Sequence, residues 1–300
     1  MELVLLDDFE YQKEKASSWF LNLREEIISS FEHIEDIYQL EQVSKKSAGR
    51  FTVKRTKRSS SEESDGGGGI MSVMRGGDVF EKVGVNVSTV YGPLDERIKK
   101  LMKTRKKITG ADREVNFWAS GISVVAHMQN PHCPAVHMNT RMFWTPEAWW
   151  FGGGTDLNPS MKNTDDTKLF HTYVKDCCDR HDKKYYPKYK KWADEYFYIP
   201  HRNIARGVGG IFFDDLNTDW DKNFAFVQDV GTTFLKAFTE ILKRRMAEKW
   251  TDTDKDVQLK YRGLYSEYNL IYDRGTKFGL ESGHDPDAVL MSLPPMVKWD

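Results

Sequence analysis

Three cysteines, ten prolines and no long uncharged apolar run are found among 300 residues. Two of the cysteines, Cys177 and Cys178, are neighbours, so no disulfide framework is available and a reducing compartment is expected. Nothing approaches the roughly 20 apolar residues of a membrane-spanning helix, which argues against integral membrane insertion. Charge of one sign is lacking too. Lys and Arg number 44 against 45 Asp and Glu, a net charge of -1, so no global field draws the chain to nucleic acid or membrane. The segment Met1–Glu10 is too acidic for a signal or transit peptide, and a cytoplasmic location is expected. Also missing are GxGxxG, a Walker loop, GxSxG, HExxH and CxxC, which disfavours common nucleotide cofactors, triad hydrolases and compact zinc sites.

Aromatic residues are abundant, at 13% with nine Trp. Such a content suits an aromatic core or the walls of a wide pocket for a flat, apolar ligand. With 39% hydrophobic and 30% charged residues, the chain reads as a soluble, globular protein. No repeat and no break in composition divide it, so one domain over residues 1–300 is expected.

Periodicity supplies the elements. Phe20, Leu23, Ile27, Phe31 and Ile34 recur at three and four within a predicted helix over 9–40. A basic stretch from Lys45 to Arg58 leads into a Ser/Glu run and Gly66–Gly69; together, 45–69 predict a solvated strand and a flexible loop. Period-two alternation then marks Val83, Val85 and Val87, next Val115, Phe117 and Ala119, and next Ile122, Val124 and Ala126. Over 135–144 it puts Val136, Met138, Thr140, Met142 and Trp144 on one face and His137, Asn139, Arg141 and Phe143 on the other. A His, an amide and an Arg in one row suit a polar ligand better than a core. Gly152-Gly153-Gly154 predicts a sharp turn or a close approach to a ligand. Helices are predicted over 164–195 and 219–250, and strands over 207–216 and 268–274. Strands following strands, bracketed by helices, predict an α+β fold: an antiparallel sheet with helices packed against it.

Arg141, Arg202, Arg206 and Arg274 all fall in or beside strand-like segments. Converging arginines imply a polyanionic ligand, because the planar guanidinium binds carboxylates through a fork. Each can instead pair with a nearby acid: Arg206 with Asp214 by strand parity, Arg274 with Asp273 or Asp287. Asp156, just after the glycines, is either a ligand-facing carboxylate or a turn residue bonding its own backbone. The basic segment 45–58 lacks any nucleic-acid recognition motif, and no nucleic-acid partner is expected.

The segments Gly66–Gly69, Phe80–Ser88, Ala135–Arg141, Trp149–Pro159, Gly209–Leu216 and Tyr272–Leu280 occur in an order that resembles the aerobic, oxygen-dependent coproporphyrinogen-III oxidases, over residues 12–299. That resemblance implies oxidative decarboxylation of two propionates of coproporphyrinogen III to vinyls. Protoporphyrinogen IX, CO2 and H2O2 would form with O2 as co-substrate and no organic cofactor, in a homodimer whose large antiparallel sheet is flanked on both faces by helices. The other possibility is a tetrapyrrole-binding relative without catalysis. By motif match, Asp156 is the catalytic carboxylate at the pyrrole N–H groups, His137 the proton donor and Arg274 a further catalytic residue. Substrate contacts would be Ser123, Asn139, Thr140, Arg141, Arg202, Arg206, Asp214 and Gly283. Some bacterial members are assigned a metal at four His, matched here by His127, His137, His171 and His201, so a divalent metal is a possibility that other members argue against. Two departures stand out. Gly283-His284-Asp285 replaces a family Gly-x-Arg, and the chain stops at Asp300, where the family usually continues.

Overall fold

Ala16, Phe20, Leu23, Ile27, Phe31 and Ile34, all fully buried, form one stripe of helix α1 (Leu6–Gln42). Each of these Phe, Leu and Ile side chains contributes roughly 1.5–3 kcal/mol on burial, and the Ala16 methyl less. The fold is that of a computed structural model, which describes residues 6–42, 47–58, 66–94, 116–281 and 283–300. A seven-stranded sheet lies under α1: β1 (Thr52–Lys57), β2 (Gly67–Arg75), β3 (Phe80–Pro93), β4 (Asn116–Met128), β5 (Ala135–Thr145), β6 (Ala148–Asn158) and β9 (Gly210–Leu216), in that spatial order. Every neighbouring pair is antiparallel. Between β6 and β9 come α2 (Thr164–His181), α3 (Tyr185–Tyr196) and a small hairpin of β7 (Tyr198–Ile199) and β8 (Ile204–Ala205). After β9 follow α4 (Trp220–Arg245), α5 (Asp252–Ile271), α6 (Arg274–Glu281) and α7 (Pro286–Val289).

The two sheet faces differ in chemistry. On one, Val83, Val85, Ile122, Val124, Val136, Met138, Phe151, Leu157 and Phe213 pack against α1, α2 and α4 in the main core. On the other, the register lines residues up in rows across the strands. The first row runs Thr52, Val73, Gly84, Val125, His137, Asp156, Gly210; the second Lys54, Met71, Asn86, Ser123, Asn139, Gly154, Phe212. A third holds Thr56, Gly69, Ser88, Gly121, Arg141 and Gly152. Helix α5 covers part of the first row, where Tyr265 packs with Val73, Val125 and Met291. Helices therefore lie on both faces, as the family resemblance implies.

Four expectations change. The glycines Gly67–Gly69 open strand β2 instead of forming a loop, since β1 and β3 pair with them on both sides. The run 59–65 lies outside the described residues. Gly152–Gly154 are likewise inside β6, with an irregularity against β9 but no turn. One predicted helix over 164–195 is two, because Asp182 is extended and ends α2. The predicted strand over 268–274 is instead the last turn of α5, which starts with a Thr251–Asp254 capping box, and the step into α6 at Arg274.

Candidate active site

Strand β5 alternates between half-covered and buried side chains, and His137, Asn139 and Arg141 fall on the half-covered face. His137 stands directly opposite Asp156 in the register, and its Nδ1 lies 2.8 Å from Asp156 Oδ1. The Asp156 side chain has no exposed surface. Its other oxygen accepts hydrogen bonds from Asn158 Nδ2 at 2.7 Å and from an Arg206 terminal nitrogen at 2.6 Å. Burial alone would raise the Asp156 carboxyl, but the Arg206 charge and the His137 contact outweigh it and hold the group down at about 2. Asp156 is thus a strand residue ionised in the interior, and neither a turn residue nor a carboxylate open to a ligand. Arg206 pairs with it and not with Asp214, because strand parity does not extend to Arg206. Gly207 and Gly209 adopt φ of +70° and +78° and swing the chain before β9 begins.

The neighbouring rows offer a polar, small-residue floor. Ser123, Asn139 and Gly154 occupy the second row, and Gly121 and Gly152 flank Arg141 in the third. Arg141 pairs with the nearly buried Asp214 at 3.2 Å. Gly152 makes that pair possible, since a Cβ there would come within 2.5 Å of Asp214 Oδ1 and 2.9 Å of the Arg141 guanidinium. Beyond the third row the floor turns aromatic: Phe143 stacks on Trp150 at 4.5 Å and on Phe117 at 5.6 Å. At the β9 edge, Tyr196 stacks on Phe212 at 4.3 Å, and the exposed Arg274 guanidinium lies 4.7 Å from the Tyr196 ring centre. Asp273, the expected Arg274 partner, accepts instead from Tyr196 Oη at 2.8 Å and from the Thr276 backbone N–H and hydroxyl. A half-open face with a His backed by a buried carboxylate, an amide, a hydroxyl, two arginines and aromatic borders suits a flat ligand bearing several carboxylates.

A profile of the coproporphyrinogen III oxidase family matches residues 15–300. The oxygen-dependent coproporphyrinogen-III oxidase of Rickettsia bellii (strain OSU 85-389) is 49% identical over 288 residues, 96% of this chain and 98% of that protein. The proteins of the same name from Rickettsia rickettsii (strain Sheila Smith) and Rickettsia akari (strain Hartford) are 47% and 46% identical over 289 residues, again 96% of this chain and 98% of theirs. The chain belongs to the coproporphyrinogen III oxidase family. These relatives are matched over nearly their whole length, so the longer C-terminal segment expected of the family is not a feature they carry.

Some family-derived positions fall elsewhere. Thr140 is fully buried on the core face, away from His137, as its period-two position requires. Arg202 makes a two-pronged contact with Glu267, holding that carboxyl down at about 2 together with His201 and Trp299. Gly283, at φ +77°, shapes the turn between α6 and α7. Asp285, the departure from the family Arg, bonds Lys54 at 2.8 Å and caps α7.

The four His do not form one centre. His127 Nε2 lies 2.9 Å from Ser292 O, and burial drives its imidazole down to about 3. His171 contacts Val208 O and Tyr186, His201 contacts Glu267 and Tyr272, and His137 contacts Asp156. Among the described residues no three metal-ligand side chains come together, so this set does not fit a single ion.

Sequence reasoning missed the contribution of α5. Asn269 accepts from Arg206, and Tyr265 and Tyr268 flank its guanidinium. The signal was present: Tyr261, Tyr265, Tyr268 and Tyr272 recur at helical spacing, and a capping box precedes them.

Proposed function

We propose that the chain catalyses the oxygen-dependent oxidative decarboxylation of coproporphyrinogen III, converting two propionates to vinyls in porphyrin and haem biosynthesis. The observation that carries this reading is the half-open row His137–Asn139–Arg141, backed by Asp156 and faced at the sheet edge by Arg274, in a chain of this family. Each lost propionate releases CO2, a proton and two electrons. One O2 takes up those electrons and two protons to become H2O2, the second proton coming from solvent. The glycines of the second and third rows let a macrocycle approach the sheet backbone. Arg141 and Arg274 are placed to meet propionates, and Ser123 and Asn139 offer hydrogen bonds. His137 is the group that moves a proton at the macrocycle, through Nε2, while Asp156 acts through it and does not touch the substrate. The electron-rich pyrrole reacts with O2 without an organic cofactor, and no divalent metal is required.

A homodimer in the cytoplasm completes the reading. Val257, Leu270, Ile271, Leu280, Met296 and Trp299 leave apolar surface on the C-terminal part, which suits burial against a second copy. The three cysteines are free, as a reducing compartment allows. Among the described residues no helix is long and apolar enough to cross a membrane.

The test is aerobic conversion of coproporphyrinogen III followed by chromatography and fluorescence, with anaerobic and chelator-treated controls. Oxygen-dependent protoporphyrinogen IX with matching CO2 and H2O2, insensitive to chelation, is expected. Tight binding without turnover would overturn the catalytic reading, and loss of turnover on chelation with recovery on adding one divalent ion would overturn the metal-free one.

A further inference from the structure

Arg206 and Arg274 are both arginines beside the site, yet they are used in opposite ways. Arg274 is exposed, with its guanidinium over the faces of Tyr196 and Phe212. The Arg206 side chain is only 3% exposed. One of its terminal nitrogens donates to Asp156 Oδ2 at 2.6 Å, and the other to Asn269 Oδ1 at 2.8 Å. Three rings surround the guanidinium, with centres 4.2 Å (Phe197), 4.7 Å (Tyr265) and 4.6 Å (Tyr268) away. Both ends of its fork are therefore spent inside the protein, and its faces are covered.

We infer that Arg206 is a positioning residue and not an anchor for a substrate carboxylate: held by Asn269 and the three-ring cage, it fixes Asp156 and, through it, the His137 imidazole. The inference rests on the role proposed above for His137. Physically, a carboxylate held in one place by a fixed guanidinium keeps the imidazole Nδ1 protonated and leaves Nε2 aimed at the open face. Helix α5 supplies Tyr265, Tyr268 and Asn269, so it bears on the imidazole through Arg206 and Asp156. A lysine at 206 would retain the charge but could not span Asp156 and Asn269 with one planar fork.

The experiment compares wild type, Arg206→Lys and Asn269→Leu by 15N–1H correlation of the imidazole nitrogens and by kcat and KM for coproporphyrinogen III. In wild type, His137 should carry a hydrogen-bonded proton on Nδ1. In both variants that signal should weaken or broaden, kcat should fall roughly tenfold or more, and KM should stay within about twofold. A KM raised about tenfold with kcat and the His137 signal unchanged would make Arg206 a substrate anchor and overturn the inference. The nitrogen spectrum needs no turnover: if wild type does not convert substrate but the variants alter the His137 signal, the clamp stands and the proposed reaction falls. Should neither variant fold, wild type alone decides. A proton on Nε2 only would overturn the inference, and a protected Nδ1 proton would uphold it.

Discussion

Among the described residues two carboxylates have no exposed surface, Glu35 and Asp156, and they are satisfied in different ways. Glu35, on α1 at the core face, accepts from four backbone N–H groups: Gly49 at 3.3 Å, Asp78 at 2.8 Å, Val79 at 3.0 Å and Phe80 at 2.8 Å. Asp156, on the open face, is held by side chains alone: His137, Asn158 and Arg206. Backbone donors are fixed in position and cannot change charge, so Glu35 staples the start of β3 to α1. Side-chain donors include one that exchanges protons, and Asp156 passes its own position and charge to that group. A buried charge surrounded by backbone serves the fold; one surrounded by titratable side chains is poised for chemistry.

The contrast is sharpest on removing each carboxylate. Asp156→Ala should lower turnover on the order of a thousandfold, with substrate binding changed far less. It should also destabilise by about 3–5 kcal/mol, since Arg206 is left buried without its partner. Unchanged turnover in the folded fraction would remove Asp156 from the mechanism. Glu35→Ala should cost about 4 kcal/mol in chemical denaturation, because several buried N–H groups lose their acceptor. Turnover per folded molecule should be that of wild type, and a large loss there would erase the distinction drawn above.

Smaller effects refine it. Arg274→Ala removes a cation from the surface of the site, so kcat/KM should fall about thirtyfold, mostly through KM, with little change in melting temperature. Normal steady-state kinetics would refute a role in substrate positioning. Acid denaturation adds a signed test. The Asp156 carboxyl is lowered on folding from 3.8 to about 2, so its contribution is complete above about pH 4 and is lost as pH falls toward 2. The stability gap between wild type and Asp156→Asn should narrow over that window; a constant gap would contradict ionisation of Asp156. Thr140→Val should be the mildest change. Its buried hydroxyl oxygen has no partner among the described residues, so stability should hold or rise by up to about 1 kcal/mol, with KM unaltered. A raised KM would return Thr140 to the substrate face.

Most of the sheet was legible because alternation is a local property. Val136 and Met138 face the core while His137 and Asn139 face outward, as the period-two reading of 135–144 has it. The errors share one cause. Glycines are ambiguous locally: Gly67–Gly69 and Gly152–Gly154 carry no side-chain pattern, and only pairing with both neighbours makes them strand. The segment 268–274 failed for a related reason, since a short window cannot separate the last turn of a helix from a strand, whereas the stripe from Tyr261 to Tyr272 can.

The amino-acid sequence by itself determined the family, the α+β class and the row His137–Asn139–Arg141, because motif order and strand period are written along the chain. Tertiary structure alone decided what Asp156 and Arg206 do. Their partners lie 19 residues away in His137 and 63 residues away in Asn269, across a strand pair and under a helix. A buried charge takes its role from whichever groups the fold brings within hydrogen-bonding distance, and no local period encodes that choice.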